Sequence, residues 1–419
     1  MKRQKHLSRM FCLLSILFLL GGCWDKKEVE RNAYVVAIGL DKSEGKNIKI
    51  TYLIANPEYG TIQQGGSTDE PPVEIISFET EDLVSPTYKA NAVISKKISY
   101  NLMKNIIVSE KLAQEKDFIR WMYDTTKEKD IRRDTYLIIT KEEASQFILE
   151  NDPKLETRAN KYFDIIIKRG IETANIPDST LHKYLRITEA DADLFLGIYA
   201  TTQRQEKDEN ETKKGDELFA GQLYTTGQTN KTQFLGASVF KEGMMIGKLN
   251  AEETRISLLL SVAATPPPML ITFPDPFNEK FRVAAKISQL TNTKVDLLKI
   301  KNGQSRINVS VPLQVDVLTD HNMENYAENT KKRNELKKYL ESRFKKKMME
   351  FVSRTQEELK GEPFGWSLIA RKKMGTIPEF KKFGWMTTYP EMDVDITVDI
   401  TFGEFGRQSK MPKLEKVRD

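Results

Sequence analysis

Thiols and imidazoles are nearly missing from this chain, whose 419 residues include two cysteines and three histidines. Zinc centres usually take three or four ligands from those two residue types, so the count argues against one. Long apolar runs are missing too. Beyond the first 22 residues no stretch is long and apolar enough to cross a bilayer. A strong excess of one charge is also lacking where it would matter. The 65 basic and 60 acidic residues leave a net charge of +5, but Lys2, Arg3, Lys5 and Arg9 stand in an acid-free leader, and the remainder carries 61 basic against 60 acidic residues. A near-neutral body cannot gather counterion-release energy from a phosphate backbone, which excludes sequence-independent nucleic-acid binding. With 39% apolar and 30% charged residues the chain can still bury a sizeable core, divided on length among about two to four domains.

The leader itself is informative. Its cationic start is followed by Phe11–Leu20, an apolar run of ten broken only by Ser15. Ten helical residues span about 15 Å, half of a ~30 Å hydrocarbon core, which fits the apolar region of a signal peptide and not a membrane span. The run ends in Leu20-Gly21-Gly22-Cys23, similar to a bacterial lipobox. Small residues admit the backbone to a signal peptidase cutting between Gly22 and Cys23, and the Cys23 thiol would take a diacylglyceryl group. Two or more acyl chains anchor stably where one does not. The mature protein is therefore expected on the outer face of a membrane, attached to lipid through acylated Cys23. Cys12 would leave with the leader, so the folded body has neither a free thiol nor a disulfide.

Along the body, Ala33 to Leu40 and Ile48 to Ala55 read as a β-hairpin. A helix is predicted from Pro86 to Met103, a strand over 105–108, a helix from Leu112 to Lys127, a strand over 135–140 and a helix over 142–150. Asn151-Asp152-Pro153 reads as a boundary. A helix over 157–173 opens the next region, in which segments 194–199, 218–224, 234–240 and 244–249 read as strands around a polar loop, 202–217. Asn250 and Glu253 form a capping-box pattern. Three prolines, 266–268, mark a second boundary. Beyond them Ile307 to Val317 alternates, with Pro312 indicating an edge strand or bulge. A long amphipathic helix over 323–360 and a second alternating strand over 392–402 follow. The expected fold is α/β (α+β), with three serial domains of mainly antiparallel or mixed sheet packed with helices. The boundaries are 1–22 for a lipoprotein signal peptide, 23–152, 153–264 and 265–419.

Candidate chemistry is sparse. Gly60 and Gly65 have phosphate-loop spacing, but Gly66 stands where lysine is needed. His182 and His321 have no partner pattern, and Gly303-Gln304-Ser305 does not continue into a serine-hydrolase elbow. Asp393, Asp395 and Asp399 share a strand face that could hold calcium or could simply be solvated. Lys345, Lys346 and Lys347 lie on the polar side of the long helix, where a solvated face competes with lipid contact. No catalytic residue, cofactor or metal site is read, and the chain is not expected to be an enzyme.

Several segments together resemble the Ger(x)C family, the C-subunit lipoproteins of bacterial spore germinant receptors. They are Gly22-Cys23-Trp24-Asp25 with Glu28, Ala37-Ile38-Gly39-Leu40-Asp41, the hairpin end Asn56-Pro57 and Ile131 to Leu137. Further along come Gly236-Ala237-Ser238-Val239-Phe240-Lys241, Gly247-Lys248-Leu249, Glu252-Glu253-Thr254-Arg255 and Phe364-Gly365-Trp366, with Trp385 and Gly403 beyond. The resemblance implies a lipid-anchored, three-domain subunit on the extracytoplasmic face of the spore inner membrane, partnered with membrane-embedded A and B subunits in sensing nutrients. It transfers a role to Cys23 alone. Gly39 and Gly247 suit turns or close backbone approach, and Trp366 and Trp385 suit core or interface packing. A solute-binding lipoprotein of an importer is the competing expectation.

Overall fold

A computed structural model describes residues 31–45, 47–56, 71–190, 192–205, 216–299 and 305–406. The leader, Cys23, Gly60, Gly65, Gly66 and most of the charged loop 202–217 lie outside these residues.

Among the described residues nine strands form one sheet. Its centre is parallel: β1 (Asn32–Lys42), β5 (Asn105–Ser109), β6 (Tyr136–Thr140) and β7 (Phe195–Thr201) lie side by side. On one flank β2 (Ile48–Ala55) and β3 (Val73–Thr80) extend it antiparallel, and on the other β8 (Gln233–Lys241) and β9 (Met244–Leu249) do the same. Short β4 (Lys97–Ser99) pairs with the start of β1. Helices cover both faces, so β1 and β5 read as near-continuous apolar runs, as parallel strands buried on two sides must. The helices are α1 (Ser85–Asn91), α2 (Glu110–Ala113), α3 (Phe118–Asp124), α4 (Ala144–Glu150), α5 (Ala159–Glu172) and α6 (Leu181–Ala190). Phe147, Phe163 and Ile167 of α4 and α5 pack on one face, while Phe118, Met122 and Tyr184 of α3 and α6 pack on the other.

This sheet runs through the expected boundary at 152–153, because β6 and β7 pair across it. Helices α5 and α6 form the crossover, and a parallel pair requires such a connection. The helix predicted from Pro86 to Met103 stops as α1 at Asn91. β-Branched Ile94 and Ile98 have helical spacing, yet the open flank of Asn32–Tyr34 takes the following segment as β4. The helix predicted over 112–127 is two short ones, α2 and α3. Residues 218–224 are not a strand; the Gln233 side chain pins them instead, accepting from Gly221 and Leu223 N–H at 2.9 and 3.1 Å and donating to the Leu223 carbonyl.

The second sheet holds β10 (Met269–Pro274), β11 (Arg282–Gln289), β12 (Lys294–Lys299), β13 (Ser305–Asp320) and β14 (Asp393–Phe405). β13 is central and not an edge strand: β14 pairs parallel along one side, and β12 and β11 share the other. Pro312 is tolerated because β12 pairs only up to Ser310 and β11 starts at Leu313. The missing N–H falls in that gap. Helices α7 (Ala251–Leu260) and α8 (Thr330–Glu357) then build the core with Leu336, Leu340, Met348 and Phe351 against the inner face of β13 and β14. This core also takes in Val239 and Leu249 of the first sheet, so the two sheets are joined by shared apolar packing. The long helix starts at Thr330, where the Asn329 side chain accepts from Lys332 N–H. Short helices α9 (Ser367–Lys373), α10 (Ile377–Phe383) and α11 (Trp385–Thr388) close the layer. Among the described residues no helix is long and apolar enough to cross a membrane.

Candidate functional site

Gly22 and Cys23 lie outside the described residues, which begin at Arg31, just before β1. His182 and His321 are both exposed, on α6 and in the turn after β13. The three strand aspartates already face cations: Asp393 holds Arg306, Asp395 holds Lys345 at 3.0 Å and Asp399 holds Lys337 at 3.2 Å. Their carboxylates serve an ion-paired surface where α8 wraps the β14 edge. Among the described residues no group of three His, Cys, Asp or Glu side chains is placed to hold a metal ion.

What the sequence motifs do becomes visible in the packing. Asp41, at the end of β1, is buried, and its two carboxylate oxygens accept from the N–H groups of Ala144 and Ser145 at 2.6 and 2.9 Å. It caps a helix that begins 103 residues later in the chain. Gly39 belongs to the same contact: a Cβ there would come within 2.9 Å of the Ile148 side chain, so its absence lets α4 lie close to the strand. Buried Glu142, just before α4, likewise accepts from Thr202 N–H at 2.6 Å and from the hydroxyls of Thr201 and Thr202. Neither role is written in local spacing, because both partners are distant in sequence.

The junction between the sheets is built from a third buried carboxylate. Glu362 accepts from the N–H groups of Phe364, Gly365 and Ser367 at 2.5–2.9 Å, which shapes the turn that sends Trp366 inward. The Trp366 indole donates to the Leu260 carbonyl at 3.0 Å and packs at a tilt against Phe364, 4.6 Å between ring centroids. Tyr389 then links Trp366 to Trp385, so both tryptophans are core residues. From α8, Arg354 holds Glu253 and donates to the Lys248 carbonyl at 3.1 Å, while Lys347 reaches Glu217 and Glu252 at 2.6 and 3.0 Å. The Asn250–Glu253 capping box forms as expected from sequence. Its second use as the anchor of Arg354 was not legible there.

Asp193 stands against Glu362, and both carboxyls are pushed up, first by burial and, at Glu362, next by the like charge beside it. Each charge disfavours the other, so the pair titrates above the ordinary values of 3.8 and 4.5. Folding therefore takes up protons over the window between the ordinary carboxylate range and the raised titration of the pair. That contribution to stability is full below the ordinary range and is lost as pH rises through the pair's own titration. Asp193→Asn, which removes one charge and can donate to Glu362, is expected to flatten the fall in melting temperature from pH 5 towards pH 8. Melting curves across that range check it, and an unchanged slope would remove the pair as its cause.

A polar groove of about 530 Å³ opens at the carboxyl end of β1, lined by Lys42, Glu81, Glu115, Arg120 and Trp121 among others. Lys42 and Glu115 pair at 2.5 Å across it. Crevices at the carboxyl ends of parallel strands are common ligand positions. A second cluster, Lys248, Glu110 and Tyr199, is internally satisfied: the tyrosine hydroxyl donates to Glu110 at 2.7 Å and Lys248 reaches it at 3.1 Å.

Comparison with known proteins places this geometry. Residues 25–201 match the family described as spore germination protein N-terminal domain, and residues 235–406 match the one described as spore germination B3/GerAC like, C-terminal. Spore germination protein KC of Bacillus subtilis (strain 168) is 31% identical over 188 residues, 43% of this chain and 41% of that protein. Spore germination protein A3 of the same organism is 24% identical over 41% of this chain and 46% of its own length, so both alignments span less than half of those relatives. Spore germination protein B3, also of that organism, is 21% identical over 97% of this chain and 100% of its own. The crystal structure of the GerBC protein superposes with a TM-score of 0.51 at 16% identity, covering 90% of this chain and 99% of the other. The two matched regions meet between β7 and β8, inside the nine-stranded sheet, which is completed by strands from both.

Proposed function

Because the chain belongs to the Ger(x)C family of spore germination proteins, we propose that it is the C subunit of a nutrient germinant receptor. In this reading acylated Cys23 holds it on the extracytoplasmic face of the spore inner membrane, beside membrane-embedded A and B subunits. The ordered match of both family domains, over 25–201 and 235–406, carries the proposal. The packing supports a non-catalytic role. Its buried carboxylates are held by backbone N–H groups and neighbouring side chains, and its surface aspartates by cations, which suits a rigid docking body. The lipobox supplies the anchor, and confinement to the membrane raises the effective concentration of the subunit for its partners.

Two measurements test this. Radioactive palmitate should label the wild-type chain and not Cys23→Ser, whose membrane-bound fraction should fall at least tenfold; persistent labelling removes the anchor. Deleting the gene should abolish germination with particular nutrients while growth stays normal. A growth or uptake defect instead would favour the importer reading.

A further inference from the structure

We propose that the end of the first sheet at which its parallel strands begin rests on the membrane, placing Val93 and Leu102 among anionic lipid headgroups. The inference builds on Cys23 anchoring and adds a second contact, made by the folded body itself. Three independent observations converge on it.

The first is reach. β1 starts at Asn32, nine residues after Cys23, and nine residues extend at most about 30 Å. The tether therefore delivers this end of the sheet, and not the other, to the bilayer. β4 pairs with Asn32–Tyr34, so the segment leading into it stands at the same end, and Ile94 and Lys96 line a 280 Å³ depression together with Ala33 and Ala55. The turn into β5 follows directly.

The second is exposed apolar surface. Val93 is 68% exposed and Leu102 43%, although each stands beside a core residue, Ile94 or Met103. The two side chains stand on separate turns and are spaced by polar residues. That is poor for a protein interface, which wants a contiguous packed centre, and sufficient for insertion between headgroups.

The third is charge. Residues 92–104, which lie at this end, contain Lys96, Lys97 and Lys104 and no acidic residue. Lys104 lies 3.5 Å from Asp164, and Glu74 lines the neighbouring depression. The opposite end of β1 has the reverse character: its groove presents Glu81, Glu115, Asp117 and Asp124 against Lys42 and Arg120. β1 has 11 residues, so that acidic end stands about 36 Å further from the bilayer. Anionic lipid attracts the lysine end and repels the carboxylate end, which orients the body upright.

The mature body contains no cysteine after Cys23, so single cysteines can report depth. The full chain, produced in a bacterium that lipidates it, is reconstituted in vesicles of phosphatidylglycerol and phosphatidylethanolamine. An environment-sensitive fluorophore is attached at Val93→Cys or Leu102→Cys, with Asp117→Cys as the distant control. Blue-shifted emission and quenching by spin-labelled lipid are expected at the first two and not at 117. In the Cys23→Ser chain, affinity for the same vesicles should fall about a hundredfold when Lys96, Lys97 and Lys104 become Gln. Phosphatidylcholine vesicles should bind neither. Fluorophores that stay in water at 93 and 102 while palmitate labels Cys23 would overturn the surface and leave the anchor standing. Binding of Cys23→Ser to anionic vesicles, together with a wild-type chain that takes no palmitate, would do the reverse. A shift at 93 and 102 that appears only with membrane-embedded partner subunits present would assign the face to protein and overturn the proposal.

Discussion

Gly236→Ala is expected to cost about 3–4 kcal/mol, a large part of the ~5–15 kcal/mol that holds a typical domain folded. Gly236 has φ +86°, where a side chain strains the backbone by about 1–2 kcal/mol. A Cβ at this position would also overlap the Leu249 carbonyl oxygen on the neighbouring strand. Backbone cannot step aside as a flexible side chain can, so a further penalty of about 1–3 kcal/mol is expected from overpacking. The residue's own N–H donates to the Asn175 carbonyl at 2.9 Å, which ties the start of β8 to the segment after α5 and resists any shift. Gly227→Ala is the control. Its φ is +99° with no atom within 4 Å of a new Cβ, so it should lose only the conformational part. Urea midpoints of the two variants separate strain from collision, and equal losses would show that the close approach is relaxed in solution.

Asp41→Ala comes next, with an expected loss of about 2–4 kcal/mol. Removing the carboxylate strands two buried N–H groups at the start of α4, and water has no easy access because Ala144 and Phe147 are fully buried. Asp41→Asn keeps one acceptor and should lose about half as much. The reading predicts more than a number. Amide exchange should rise in α4 and the strand below it before the second sheet responds, since the cap joins β1 to α4 alone. Uniform loss of protection would mean that Asp41 supports the whole fold and not this docking.

These two residues show how far the sequence reaches. Asp41 and Gly39 were visible as a motif, and the resemblance it carried was right, yet its physical meaning lay 103 residues away at α4. The Asn250–Glu253 cap was legible because both partners stand within one turn. The long alternation of β13 and β14 was legible because a strand with one wet face repeats every second residue. Position within the sheet was not. Pro312 looked like an edge signal and sits in a central strand, since the gap that excuses it is made by two other strands. The boundary at Asn151-Asp152-Pro153 has the turn chemistry of a linker, but the chain beyond it returns to add β7 beside β6.

By itself the sequence determined whatever depends on neighbours along the chain: the near-neutral charge beyond the first 22 residues, the helical and alternating periods, and the family. Tertiary structure alone decided that one sheet unites both family domains, that Asp41 and Glu142 are buried acceptors for N–H groups far along the chain, and that Asp193 is buried against Glu362. The reason is the range of the forces. Hydrophobic periods and capping are set within a few residues, whereas a buried carboxylate is defined by which distant N–H groups the fold brings to it.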